Sequence, residues 1–253
     1  MPVQVLIRAA AVFDIDENRT RVALHRLRSK GLVDSEERGS YRVAGDMAAA
    51  SEETMGWRNA LSRVVPWTGA WVGVHTADLP RADKTVARRR DRATQLVGLR
   101  DLRGGLLVRP DNLAGGVEDL RTRLLRLGLE PTAPVFRMDA LGPSDDEARH
   151  LWDDMGLDAL YRQQIQILTQ ATLDLQRMPA EHGARLAFQV GGRAVHDIVL
   201  DPLLPAPLVD PSLREAFMET IMVFDDVARE LWSRVLETDL VLRQSPTLAP
   251  ATG

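Results

Sequence analysis

The residues whose types and spacing could do chemistry crowd between Glu17 and Val33, ENRTRVALHRLRSKGLV. Wound as a helix at 100° per residue, Thr20, Ala23, Leu24 and Leu27 fall on one narrow stripe predicted to face inward. Opposite them lie Asn18, Val22, His25 and Ser29. Arg21 and Arg28 flank that outer strip on one side, and Arg19, Arg26 and Lys30 flank it on the other. Short polar and methyl groups between two rows of cations fit a helix lying in the major groove of DNA, where the cations hold phosphates and the strip meets base edges. Asn18 could take adenine, Val22 a thymine methyl, and Arg21 or Arg26 could fork onto guanine. The bland alternative is a solvated cationic helix face. What favours DNA is the following hairpin pattern, which carries Arg38 and Arg42 within reach of the adjacent backbone.

Catalytic and metal chemistry find less support. The histidines at 25, 75, 150, 182 and 196 have no metal-ligand spacing, and the sequence lacks cysteine, so thiolate sites and disulfides are excluded. His196 and Asp197, read on an extended segment, would point to opposite faces and form no catalytic pair. The glycine pairs at 104, 115 and 191 lack a P-loop lysine. No catalytic residue, metal or cofactor is expected. The alternative is a metal-dependent nuclease, for which Asp78, just after a predicted strand, is the single candidate carboxylate.

The elements that must position these groups follow from pattern. Residues 3–12 predict a short apolar helix and Asp16 an N-cap for the helix that Gly31 ends. Residues 32–43 predict a hairpin with Gly39 at its tip. Helix, turn, helix, hairpin is the order of a winged helix-turn-helix, assigned to residues 1–45, with 46–66 as a connecting segment. Strands at 70–76, within 99–109 and at 134–138, with helices at 80–97 and 117–127, give a βαββαβ order. That is a ferredoxin-like signature, assigned to 67–141. Residues 142–243 read as a helical unit, opening with Ser144 as a predicted cap and closing with a helix over 212–241. Residues 244–253 read as a disordered tail. The predicted fold class is α+β.

Of 253 residues 45% are apolar, enough for a sizeable core in two or three units. The net charge of −4 hides an asymmetry. Residues 1–137 hold 23 Lys and Arg against 17 Asp and Glu, and the remainder 9 against 19. A basic front and acidic rear suit a molecule only part of which faces phosphate. No transmembrane run or secretory signal is read, which predicts a cytoplasmic protein with no membrane partner. The basic helix at 80–97 could extend a DNA surface, hold the phosphates of a CoA group, or simply be solvated.

RVALHRLRSKGLV, ERGSYRV, WTGAWVGV, GGLLVRPDNL and HDIVLDPLLPAPLV stand in an order that resembles the PaaX family of bacterial transcriptional regulators, over residues 3 to 236. Arg21, Ala23, Leu24, Arg26 and Leu27 match its recognition-helix run, and Tyr41 its wing tyrosine. Arg109-Pro110 match its V-R-P turn, and His196 and Asp201 to Pro205 its H…D-P-x-L-P segment. The resemblance implies a homodimeric repressor of a catabolic operon that binds a near-palindromic double-stranded operator and responds to an acyl-CoA or aromatic acid effector. It implies a Cas2-like central domain, and, since the family's module carries a further helix before the segment that begins here, it implies either a start upstream of Met1 or a domain trimmed of that helix. Candidate effector contacts are Trp71, Arg109, Trp152, Tyr161 and His196. Asp14 stands where glycine is common, and Asp210-Pro211-Ser212 replaces a W-P-G.

Overall fold

Apolar spacing in the first forty residues builds two helices and a hairpin. A computed structural model of the chain describes residues 1–36 and 39–236. Helix α1 (Val3–Ala11) ends at a turn in which Asp14 adopts φ 59°, the left-handed geometry that a short polar side chain tolerates. Helix α2 (Glu17–Ser29) begins where predicted, because the Asp16 carboxylate accepts the Arg19 amide at 2.8 Å. Gly31, at φ 66°, stops it. Strands β1 (Val33–Glu36) and β2 (Ser40–Val43) pair antiparallel, with Asp34 opposite Arg42. The Tyr41 amide donates to the Met1 carbonyl at 2.8 Å, fastening the start of the chain to the hairpin.

The segment predicted as a connector does more than connect. It forms α3 (Ala48–Met55) and two short turns, and it buries Trp57 and Ala60. Glu53 accepts hydrogen bonds from Arg123 at 2.6 Å and Arg126 at 2.5 Å, tying α3 to the next unit.

That unit contains β3 (Trp71–His75), α4 (Lys84–Leu96), β4 (Arg100–Arg103), β5 (Leu106–Pro110), α5 (Gly116–Leu127) and β6 (Val135–Met138), in the βαββαβ order read from sequence. Every pairing is antiparallel and the sheet order is β4-β5-β3-β6. Strand alternation then separates two cores. Val72 and Val74 of β3 pack with Ala93 and Leu96 of α4 and Leu120 and Leu124 of α5. Trp71, one residue out of phase, points to the other face and joins the C-terminal helices. Helix α4 is capped by Asp83, whose carboxylate accepts the Thr85 and Val86 amides.

The rear is helical: α6 (Asp145–Arg149), α7 (Leu157–Leu175), α8 (Ala180–Val199) and α9 (Pro211–Leu236). Phe217, Ile221 and Phe224 of α9 and Leu168 of α7 are fully buried among them. Two expectations fail here. Ser144 makes no cap hydrogen bond, and the helical stretch that follows it is interrupted: α6 ends at Arg149 and α7 starts afresh after Gly156, whose φ is left-handed. His196 and Asp197 sit in the last turn of α8 and not on an extended segment. The expected tail, and the expected helix beyond residue 236, lie outside the described residues. The chain is thus α+β, helices with two small antiparallel sheets. Among the described residues no helix is long and apolar enough to cross a membrane.

Candidate nucleic-acid interface

Helix α2 presents its predicted outer strip to solvent. Asn18, Val22, His25 and Ser29 are all exposed. The inward stripe is narrower than expected. Thr20 and Leu24 are buried, whereas Ala23 is exposed and Leu27 is 38% exposed. The elements packed on α2 are α1 and β1, and their contact is centred on the Thr20–Leu24 line. Ala23 and Leu27 turn off that line toward the Arg26 and Lys30 flank. A shallow groove results along Asn18, Arg19, Val22, Ala23, Arg26, Leu27 and Lys30.

The cations divide into two groups. Arg19 pairs with Asp16 and Arg21 with Glu17 on the first turns. Arg42 lies 3.5 Å from both Asp34 and Glu36 in the hairpin. Such exposed pairs are worth at most about 1 kcal/mol and exchange readily for another anion. Arg26, Arg28 and Lys30, by contrast, have no ion-pair partner among the described residues. Three uncommitted cations on the last two turns therefore stand beside the outer strip. Arg38 lies outside the described residues.

The basic helix α4 is mixed. Arg90 is buried against Glu130 at 2.6 Å, while Arg88 and Lys84 are exposed. Asp78 has a 93% exposed side chain, and His75 Nδ1 lies 3.7 Å from it. Among the described residues no three His, Asp or Glu side chains converge.

The five candidate effector contacts do not line one pocket. Trp71, Arg109 and Tyr161 are buried and spent on internal partners, so they offer no surface to a ligand. Trp71 Nε1 donates to Asp145 at 2.9 Å, and its ring stacks on Trp152 with centroids 6.4 Å apart. Trp152 Nε1 donates to the Gly98 carbonyl at 3.3 Å, while its ring edges a polar cleft between α4 and β4 that Arg90 and Arg100 also line. His196 is exposed and lines a different pocket, between α8 and α9.

What these residues build instead is a seam between the sheet and the rear helices. The Arg109 guanidinium donates to the carbonyls of Val97, Pro110 and Pro202 and to Asn112 Oδ1. Burial, with Arg123 and Arg63 nearby, pulls its pKa down to about 9, so it keeps its proton at neutral pH. Asn112 Nδ2 donates to the Leu203 carbonyl at 2.7 Å. Asp201 accepts the Tyr161 hydroxyl and the Leu203 amide, each at 2.7 Å, and burial holds its carboxyl above the usual carboxylate range. These bonds hold Leu203 at φ 53°, which is strained for a branched side chain. Across the seam Gly98 needs to be glycine, since a Cβ there would sit 2.7 Å from Pro202 Cα. Sequence spacing carried no sign of this seam beyond the clustering of prolines after Asp201.

A second contact joins the first two helices to the rear. The Phe13 ring sits edge-on to Phe188 at 5.1 Å and stacks near Trp232 at 6.4 Å. Arg185 lies over Phe13 and donates to the Val12 carbonyl and to Asp14. Arg8 donates to the Leu236 carbonyl at 2.8 Å.

No family model matches the chain, and no curated protein matches it. Its fold is similar to that of the uncharacterized protein Rv0674 from Mycobacterium tuberculosis, with a TM-score of 0.53 and 22% sequence identity over 91% of each chain.

Proposed function

We propose that the chain is a DNA-binding, ligand-responsive transcriptional regulator of the PaaX type, a homodimeric repressor of a catabolic operon. The observation that carries this reading is α2, with Asn18, Val22 and His25 outward and Arg26, Arg28 and Lys30, which have no ion-pair partner among the described residues, beside them, next to the β1–β2 hairpin. On this reading residues 1–45 are a winged helix-turn-helix and 67–141 a ferredoxin-like, Cas2-like unit, which the β4-β5-β3-β6 order supports. The sequence resemblance supports an acyl-CoA or aromatic acid effector. Two heads related by a two-fold would read half-sites about 34 Å apart on a near-palindromic operator.

The test is fluorescence anisotropy of the full chain on DNA from upstream of its own gene. Arg26→Ala is expected to weaken binding about tenfold or more, as loss of a base or phosphate contact does. Arg177→Ala, an exposed cation in the rear, leaves affinity unchanged. Equal losses from the two would refute the assignment of α2.

A further inference from the structure

Between α8 and α9 lies a pocket of about 490 Å³ that no part of the DNA-contacting surface uses. Its volume falls in the range of small-molecule sites, roughly 300–1,000 Å³. Its walls are the rings of Phe188, Phe224 and Trp232 with Val195 and Ile221, and its polar end is formed by His196, Asp225 and Arg229.

Three features of this pocket point to a ligand. The first is Gly192. A glycine inside a helix costs about 1 kcal/mol relative to alanine, so one kept there needs a reason. Its neighbour Gly191 has one, since a Cβ would meet Phe224 Cε1 at 3.1 Å. At Gly192 a Cβ would meet nothing within 4 Å; the space in front of this glycine is open. The second feature is the spare donors of the polar end. Asp225 Oδ2 accepts from Arg58 at 2.5 Å and from Arg229 Nε at 2.7 Å, and Arg58 also pairs with Asp226 at 2.7 Å, so two guanidiniums face two carboxylates. Arg229 has five N–H donors and spends on Asp225 only those of its Nε and Nη2. An oxygen acceptor is therefore welcome at this end. The third is the identity of the walls. Phe188, although 62% exposed, and Trp232 are the same two rings that clasp Phe13 of the N-terminal head.

We propose that this pocket binds a small aromatic molecule with an oxygen acceptor at one end, and that Phe13 passes its occupancy to the head. A flat ring lies against Phe188 and Trp232 in offset or edge-on contact, and the acceptor meets Arg229 or His196. Seating the ligand fixes Phe188 and Trp232, and the aromatic clasp on Phe13 tightens or opens with them. The coupling half of the proposal rests on the regulatory reading; the pocket does not.

The probe is anilinonaphthalenesulfonate, an aromatic anion that fluoresces in apolar sites, titrated into the full chain. Saturable binding is expected for the native sequence. Gly192→Leu puts a side chain into the open space, improves the helix, and is expected to weaken binding about tenfold or more while unfolding no earlier than the native chain. Hydrogen exchange over residues 17–36 is expected to change on probe binding in the native chain and not in Phe13→Ala. Absence of saturable binding, or undiminished binding by Gly192→Leu, overturns the pocket. An unaltered exchange response in Phe13→Ala overturns the coupling. A shift in oligomeric state in Gly192→Leu with probe binding intact would identify the groove as a contact between copies and overturn the ligand. Neither readout uses DNA, so failure to bind an operator would sink the regulatory reading and leave the pocket standing.

Discussion

Among the described residues of the first forty-three, Val12, Thr20 and Leu24 are buried, whereas the seam from Val97 to Arg214 closes over Arg109, Asn112, Tyr161, Asp201 and Leu204. The head keeps its apolar groups half covered and, among the described residues, Arg26, Arg28 and Lys30 without an ion-pair partner, and it meets the rear through Phe13, Arg185 and Arg8. The seam leaves almost nothing to water: Arg109 donates to carbonyls and Asn112, Asp201 accepts from a hydroxyl and an amide, and Arg214 donates to the Leu204 carbonyl while its Nε has no hydrogen-bond partner among the described residues. A contact surface has to be accessible at some loss of stability, and a joint has to resist opening. The two regions therefore differ in what a substitution does to them.

The largest effect is expected at the seam. Asp201→Ala removes the acceptor for the Tyr161 hydroxyl and the Leu203 amide, and two buried donors left unpaired cost together about 3 kcal/mol or more, read by chemical denaturation. Asp201→Asn sharpens the point through pH. Because the native carboxyl titrates above its unfolded value, its contribution is fully present below about pH 3.9 and is lost as pH rises through the raised native value. The asparagine variant loses that pH dependence, and identical pH–stability curves for the two chains would show the carboxyl to be unperturbed.

Smaller, local effects are expected in the head. Arg185→Ala frees the Val12 carbonyl and uncovers Phe13, costing about 1 kcal/mol; hydrogen exchange in α1 and α2 quickens while α7 and α9 are unaffected. Asp16→Ala, which strips the cap from the Arg19 amide, costs about 1 kcal/mol or less, seen as fraying of the first turn of α2. If either head substitution unfolded the whole chain, the contrast between the regions would collapse.

Elements whose signals are local were legible in the sequence. Asp16 and Gly31 bracket α2, and alternation within residues 70–76, 99–109 and 134–138 gave the strands of the four-stranded sheet. What escaped depends on tertiary partners. Ala23 and Leu27 share the spacing of Thr20 and Leu24, yet α1 and β1 cover only the latter pair. Trp71, Tyr161 and Arg109 have the chemistry of ligand contacts, but only the packing of the rear helices on the sheet decides that they are consumed internally. Helix α8 was obscured around His196 by Gly191-Gly192, which as a dipeptide reads as a break. The pocket rings Phe188 and Phe224 carry no mark in sequence, since thirty-odd residues separate them and their meeting depends on how α8 crosses α9.

Arg109 fixes the mechanics of the molecule. One guanidinium bolted to the backbones on both sides of a joint, at Val97 and at Pro202, forbids the sheet and the rear helices from swinging apart without stranding a buried cation. Those two blocks travel as one chassis. Helices α1 and α2, by contrast, meet that chassis through side chains such as the Phe13 ring, a joint with far less to break.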